Sequence, residues 1–166
     1  MRVMGIDPGS NCTGFGIVEE VKSDLHAVYW SSIRNLPKHA FPERLKRIYD
    51  ELVLAMEKFQ PDVISVEDLF YSTNVKTVIK LAQTRGVTLL AAINSGIELA
   101  EYSPLEIKQS VAGYGRADKN QVRDMVSTLL RLKEKPEPFD ASDALAAAIC
   151  HIHNAGLQQK IKLALR

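Results

Sequence analysis

The chain has 166 residues, of which 46% are hydrophobic and 25% charged, with a formal net charge of +1. That is the size of one domain, long enough to bury a core without disulfides or a structural metal. The charge balance is not that of a strongly basic nucleic-acid binder, so any case for a DNA partner must come from where the charges sit. Cys12 and Cys150 stand far apart, with no C-x-x-C and no paired Cys/His spacing. They read as free thiols in a reducing cytoplasm, and a zinc site is not expected. Asp7 comes too early for a signal-peptide core, and the longest apolar stretches are broken by Lys, Gln, Asn or Arg. No membrane span is expected.

In chain order, Val3 to Pro8 is a short apolar run that ends in Asp-Pro-Gly, a strand followed by a turn. Thr13 to Val21 gives a second strand, close enough to the first to form a hairpin, and Leu25 to Arg34 completes a meander. Pro42 to Phe59 carries Leu45, Ile48, Tyr49, Leu52, Val53 and Met56 at helical spacing, with proline suited to the first turn and Pro61 as the stop. Asp62 to Glu67 is a β-branched run, read as a mostly buried strand. Asn74 to Ile93 is a long helical pattern, Ile97 to Tyr102 a fifth strand, and Pro104 to Val111 a short helix. Gly113 to Gly115 is a flexible turn, and Asp118 caps a helix running to Leu132. Lys133 to Pro138 is a loop, and Asp140 to about Asn154 an alanine-rich helix. A three-strand meander followed by alternating helices and strands predicts an α/β fold, a mixed five-stranded sheet with helices on its faces. The first three strands would be antiparallel and the last two parallel. Residues 1–158 form the single expected domain, with 159–166 a basic tail for which disorder and DNA contact are both open.

Four acids stand where chemistry is plausible, each with a plainer alternative. Asp7 ends the first strand within G-I-D-P-G-S, and could equally begin an Asx turn. Glu67 ends the fourth strand at the edge where open α/β sheets place ligands, though simple strand termination is the alternative. Asp68 follows at once and should point to the opposite face. Asp140 and Asp143 lie three apart at a helix start, on one face, where acids at N-cap and N3 alone would suggest a capping box. Together the four could converge into one anionic pocket. Carboxylates without cysteine or paired histidine suit a hard cation such as Mg²⁺ or Mn²⁺. Two such ions roughly 3.5–4 Å apart perform in-line phosphodiester hydrolysis.

G-I-D-P-G-S near the start, V-E-D-L-F after the fourth strand, K-L-A-Q-T-R-G-V in the long helix and F-D-A-S-D-A-L-A-A-A-I-C-H near the end together resemble the RuvC family. These are the bacterial Holliday junction resolvases. The motifs occur in order, at matching spacing, over nearly the whole chain. The resemblance implies an RNase H-like fold, cleavage of four-way DNA junctions by paired symmetric nicks, a homodimer, and Mg²⁺, two per active site, with Mn²⁺ as a substitute. It implies cooperation with the RuvA and RuvB branch-migration proteins. It places the acidic tetrad on Asp7, Glu67, Asp140 and Asp143, and two functional lysines on Lys108 and Lys119. Arg116, beside Lys119 after a glycine-flanked loop, suits phosphate contact. Phe70 matches the aromatic that unstacks bases at the junction centre, and neighbouring Tyr71 is the alternative wedge. Lys76 and Lys80, near one another on the long helix, could add backbone contacts, with solvated charge as the plainer reading. His151 and His153 are assigned no chemistry, and Asp68 is an acid the family pattern does not require. The apolar surface of the long helix is the expected dimer contact. The rival readings are an RNase H-like nuclease acting on RNA, an actin-like sugar kinase or ATPase fragment, and a junction-binding protein without catalysis.

Overall fold

The computed structural model describes residues 1–68 and 74–164, and of residues 158–164 the backbone only. Five strands form one sheet: β1 (Arg2–Asp7), β2 (Cys12–Val21), β3 (Asp24–Arg34), β4 (Val63–Glu67) and β5 (Glu98–Tyr102), in the spatial order β3-β2-β1-β4-β5. The meander β1-β2-β3 is antiparallel, and β4 and β5 add parallel to β1. The helices are α1 (Phe41–Phe59), α2 (Val75–Asn94), α3 (Pro104–Ala112), α4 (Lys119–Leu129) and α5 (Phe139–Ala164). The expected α/β class, strand directions and element order are all present.

The period of two along each strand divides the core. Met4 and Ile6 of β1, Ile17 of β2 and Ile64 and Val66 of β4 face α1 and α2. Val3, Val18 and Val63 face the opposite layer, built from α3, α4 and α5. Gly5 and Ser65 share that second face, because a Cβ on Gly5 would meet the Ala144 carbonyl and the Ser65 hydroxyl donates to the Ala147 carbonyl at 2.8 Å. Asp7 and Glu67 are the next residues in the same alternation. Both therefore end their strands on the α5 side.

α5 is the central helix. From Ala144 to Cys150 every residue is buried, and the run is mostly alanine. Small residues on the helix meet glycine on the sheet, so helix and strands approach more closely than larger side chains allow. Both expected bounds of this helix change. It begins at Phe139, one residue before the expected start at Asp140, which puts Asp140 inside the first turn and sets aside the capping-box alternative. It also runs for 26 residues, well past Asn154, because nothing stops it: no proline follows, and Gly156 has open space around it. α4 ends at Leu129 rather than Leu132, where Arg131 adopts a left-handed conformation. α1 stops at Phe59, two residues before Pro61, with Gln60 in the left-handed region as its cap. Among the described residues no helix is long and apolar enough to cross a membrane.

Candidate active site

β1 and β4 run parallel with Gly5 opposite Ser65 and Ile6 opposite Val66. One step further the pairing brings Asp7 beside Glu67. On the other flank β2 places Gly14 opposite Asp7. Gly14 has no side chain, and the first turn of α5 fills that space: a Cβ there would lie 1.9 Å from the Asp140 carbonyl oxygen. Gly5 receives Ala144 in the same way, again at 1.9 Å. The two glycines therefore seat the start of α5 directly over the ends of β1 and β2. That seat carries Asp140 and Asp143 toward Asp7 and Glu67.

Asp7, Glu67 and Asp143 line one cavity of about 250 Å³ with Lys108 of α3 and Lys119 of α4, walled by Pro104, Ile107, Val122 and Ala146. Burial raises the Asp7 carboxyl well above its ordinary range, and the charges of Glu67, Asp143 and Asp140 raise it further. Burial raises Glu67 too, helped by Asp143, while hydrogen-bonding reach to Asp7 acts in the opposite direction. Asp143 is raised by burial and held back by Lys119, whose ammonium donates to its Oδ2 at 2.9 Å. Burial alone would lower Lys119, but Asp143, Asp7 and Asp140 together hold it above its ordinary value. Asp140 stands on the Cys12 side of the cluster, close enough for its charge to raise the Cys12 thiol in addition to burial. Among the described residues no three acids, histidines or cysteines stand close enough together to hold a metal ion as they are placed. The cluster's acceptors are carboxylates, the donor set that a hard divalent cation takes.

The turn after Asp7 is tied down from three sides. Buried Thr13 donates to the Gly9 carbonyl at 2.7 Å. The Asn35 amide donates to the Ser10 carbonyl at 3.1 Å, and Arg44 of α1 donates to the Asn11 side chain at 2.8 Å. These contacts fix the direction in which β1 delivers Asp7. The sequence reading missed Gly5, Gly14, Ser65, Thr13 and Asn35. The alternation of Gly5 with Asp7, and of Gly14 with Gly16, was the available signal for a helix lying close on that face.

Of the other candidates, Lys108 lines the cavity with Lys119. Arg116 is exposed on the loop before α4, three residues from Lys119. Lys76 and Lys80 are exposed on α2, and the Lys80 ammonium lies 5.8 Å from the Phe41 ring centre. Phe70 and Tyr71 lie outside the described residues. Asp68 turns to the opposite face from Glu67, where Arg85 of α2 binds it at 3.1 Å and also binds Glu101. His151 and His153 lie within α5 and meet Tyr102 and Ser110, away from the acids.

Residues 3–151 match the sequence model of the family described as "Crossover junction endodeoxyribonuclease RuvC". The chain is 46% identical over 163 residues to the crossover junction endodeoxyribonuclease RuvC of Pelotomaculum thermopropionicum, covering 98% of this chain and 99% of that one. It is 47% identical over 152 residues to the Finegoldia magna protein of the same description, covering 92% and 93%. The fold superimposes on Thermus thermophilus RuvC in complex with Holliday junction substrate with a TM-score of 0.89 at 32% identity, covering 95% of this chain and 96% of that one. The yeast mitochondrial Holliday junction resolvase Ydc2 shares the fold, with a TM-score of 0.64 at 16% identity over 95% of this chain and 82% of that one. Full-length identity of this order, on a fold that brings strand-end acids under an acid-bearing helix, leaves one assignment: the chain belongs to the RuvC family of crossover junction endodeoxyribonucleases, the Holliday junction resolvases.

Proposed function

We propose that this chain resolves four-way DNA junctions as a homodimer, each subunit hydrolysing one phosphodiester at Asp7, Glu67, Asp140 and Asp143. The observation that carries the reading is the meeting of two strand-end acids with an acid-bearing helix in one cavity beside two lysines. Four carboxylates and two ammonium groups leave a formal charge of −2 when all are ionised, which favours cation uptake. The four acids would hold Mg²⁺, two ions per site with Mn²⁺ as a substitute. Bound there, the ions would supply an activated water and charge stabilisation at the leaving 3′ oxygen.

The protein's own groups do the positioning. Glu67 and Asp7 are fixed by strand pairing, so their separation does not depend on a loop. Asp143 is fixed by a helix packed against glycine. Lys119 and Lys108 line the cavity and supply positive charge beside the acids for a scissile phosphate. Arg116 on the adjoining loop extends that charge along the strand, and Lys76 and Lys80 contact the backbone of a more distant arm. Phe70, or Tyr71 beside it, wedges the bases at the crossover.

A homodimer is supported by α2. Its outer face exposes Val75, Ile79, Leu90 and Ile93 by 52–69%, with Ala82 and Gly86 between them on the same stripe. The opposite face carries the buried Thr84, Thr88, Ala91 and Ala92. A continuous apolar stripe of this kind fits a second copy of the chain. A two-fold dimer would present two identical sites to a substrate of the same approximate symmetry. In the cell the enzyme would act in the cytoplasm with RuvA and RuvB.

The test is cleavage of an end-labelled mobile four-way DNA junction with Mg²⁺, beside a linear duplex of the same sequence and an RNA hairpin. Nicks at symmetric positions on two junction strands, with the other substrates spared, support the reading. Cleavage of the RNA, or junction binding without cleavage in Mg²⁺ and in Mn²⁺, overturns it.

A further inference from the structure

Lys119 stands in an unusual position for a solvent-facing lysine. Its backbone is fixed: Asp118 caps α4, accepting from the Gln121 amide at 3.0 Å, and the Gln121 side chain accepts from the Asp118 amide at 2.9 Å. The Tyr114 hydroxyl donates to the same Gln121 oxygen at 2.6 Å. Its side chain is free by comparison, 66% exposed, yet it bends inward to bind Asp143, which is only 17% exposed. Lys108 lines the same cavity but, among the described residues, makes no hydrogen bond to the acids, and acts on Glu67 and Asp143 through its field alone. The two lysines thus differ in kind: one is bonded to an acid of the cluster and the other acts on it without a bond.

We propose that Lys119 serves as an exchangeable counter-ion that occupies Asp143 until a divalent cation replaces it. The inference rests on the reading of Asp7, Glu67, Asp140 and Asp143 as a cation site. An ammonium and a divalent ion compete for the same carboxylate oxygen, so cation uptake at Asp143 breaks the Lys119 contact and releases the ammonium on its flexible stem. Until then the lysine screens a buried acid that would otherwise repel Asp7 and Glu67. The exchange makes metal entry and delivery of a positive charge to the cavity mouth a single event.

The competition is measurable without DNA. Mn²⁺ is titrated into the full chain, and free Mn²⁺ is followed by electron paramagnetic resonance for wild type, Lys119→Met, Lys108→Met and Asp7→Asn. A partly exposed ion pair that must be broken weakens cation binding by about two- to fivefold. Lys119→Met is therefore expected to bind Mn²⁺ tighter than wild type by at least that factor, and tighter than Lys108→Met, which removes the same charge but no bond. Equal tightening in the two lysine variants would reduce Lys119 to a field effect and overturn the exchange. Wild-type or weaker affinity in Lys119→Met would do the same. Loss of Mn²⁺ binding in Asp7→Asn keeps the cation-site reading intact in either case. Mn²⁺ binding that is absent from wild type, or unchanged by Asp7→Asn, overturns that reading and the exchange with it.

Discussion

Replacing Gly5 with alanine changes one hydrogen for a methyl group, and it is expected to disable the enzyme without touching an acid. The new Cβ would lie 1.9 Å from the Ala144 carbonyl oxygen, 2.7 Å from the Ala148 amide nitrogen and 2.9 Å from the Ala144 carbonyl carbon. All three are backbone atoms of α5, so no side chain can rotate away. Restoring an ordinary contact distance requires helix and strand to separate by about 1.5 Å. Ala144 directly follows Asp143, so the displacement falls on the acid that completes the cavity. Overpacking of this kind costs about 1–3 kcal/mol. For a chain of this size that is a fall in Tm of about 2–12 °C. A misplacement near 1 Å at a reacting centre costs about a hundredfold in rate. Gly156→Ala is the control: it lies in the same helix with nothing within 4 Å of its added Cβ. That variant should melt at or slightly above the wild-type temperature, since alanine is favoured over glycine in a helix by about 1 kcal/mol. Melting curves and single-turnover junction cleavage decide the matter. A Gly5→Ala protein with wild-type Tm and cleavage within threefold of wild type would refute the idea that close helix–sheet contact sets the site.

Three further outcomes follow from the same geometry. Asp7, Glu67 and Asp143 are all raised in the folded protein, so the folded state keeps protons that the unfolded chain releases. Their stabilising effect is complete below the ordinary carboxylate range and is lost as pH rises through the raised folded values. In EDTA the Tm should therefore fall across that window, and Mg²⁺ should restore it at neutral pH by binding only the folded state. Asp7→Asn should flatten both dependences and raise the metal-free stability by about 1–2 kcal/mol; unchanged pH and Mg²⁺ responses in calorimetry would contradict the clustering of these acids. Asp68→Asn should leave junction cleavage within about threefold of wild type, because its carboxylate binds Arg85 on the far face; a loss comparable with that of Glu67→Gln would move Asp68 into the site. Ile79→Glu puts a charge in the exposed stripe of α2. It should convert a dimer to a monomer by sedimentation at micromolar concentration, with paired cutting lost, whereas an unchanged sedimentation coefficient would remove α2 from the interface.

The sheet was legible because its signals are local. β-branched runs bounded by Asp-Pro-Gly and by Pro61 mark the strands, and Pro104 and Asp118 mark helix starts at positions the structure keeps. The acids were legible as a set only through the order of four short motifs, since Asp7 and Glu67 each have an ordinary reading as a strand end. Their adjacency is a matter of register: Ile6 pairs with Val66 across strands that are sixty residues apart in sequence, and spacing along the chain does not encode that. The seating of α5 was hidden for a related reason. Gly5 and Gly14 look like ordinary strand glycines until the helix that fills their space is placed. For Asp140 and Asp143 the local pattern also allowed a capping box, because an acid three residues before another at a helix start resembles one. The helix begins at Phe139, one residue before the expected start, so Asp140 lies inside the first turn and is not its N-cap. Nothing in the local sequence separates those two registers.

The most direct measurement compares wild type and Asp7→Asn on one labelled four-way junction, scoring binding by gel shift and cleavage by strand mapping in Mg²⁺. Wild type is expected to make symmetric nicks on two strands, and Asp7→Asn to bind the junction with wild-type affinity or better while cutting none of it. Cleavage by Asp7→Asn at a rate near wild type would contradict the assignment of the carboxylate cluster as the catalytic centre.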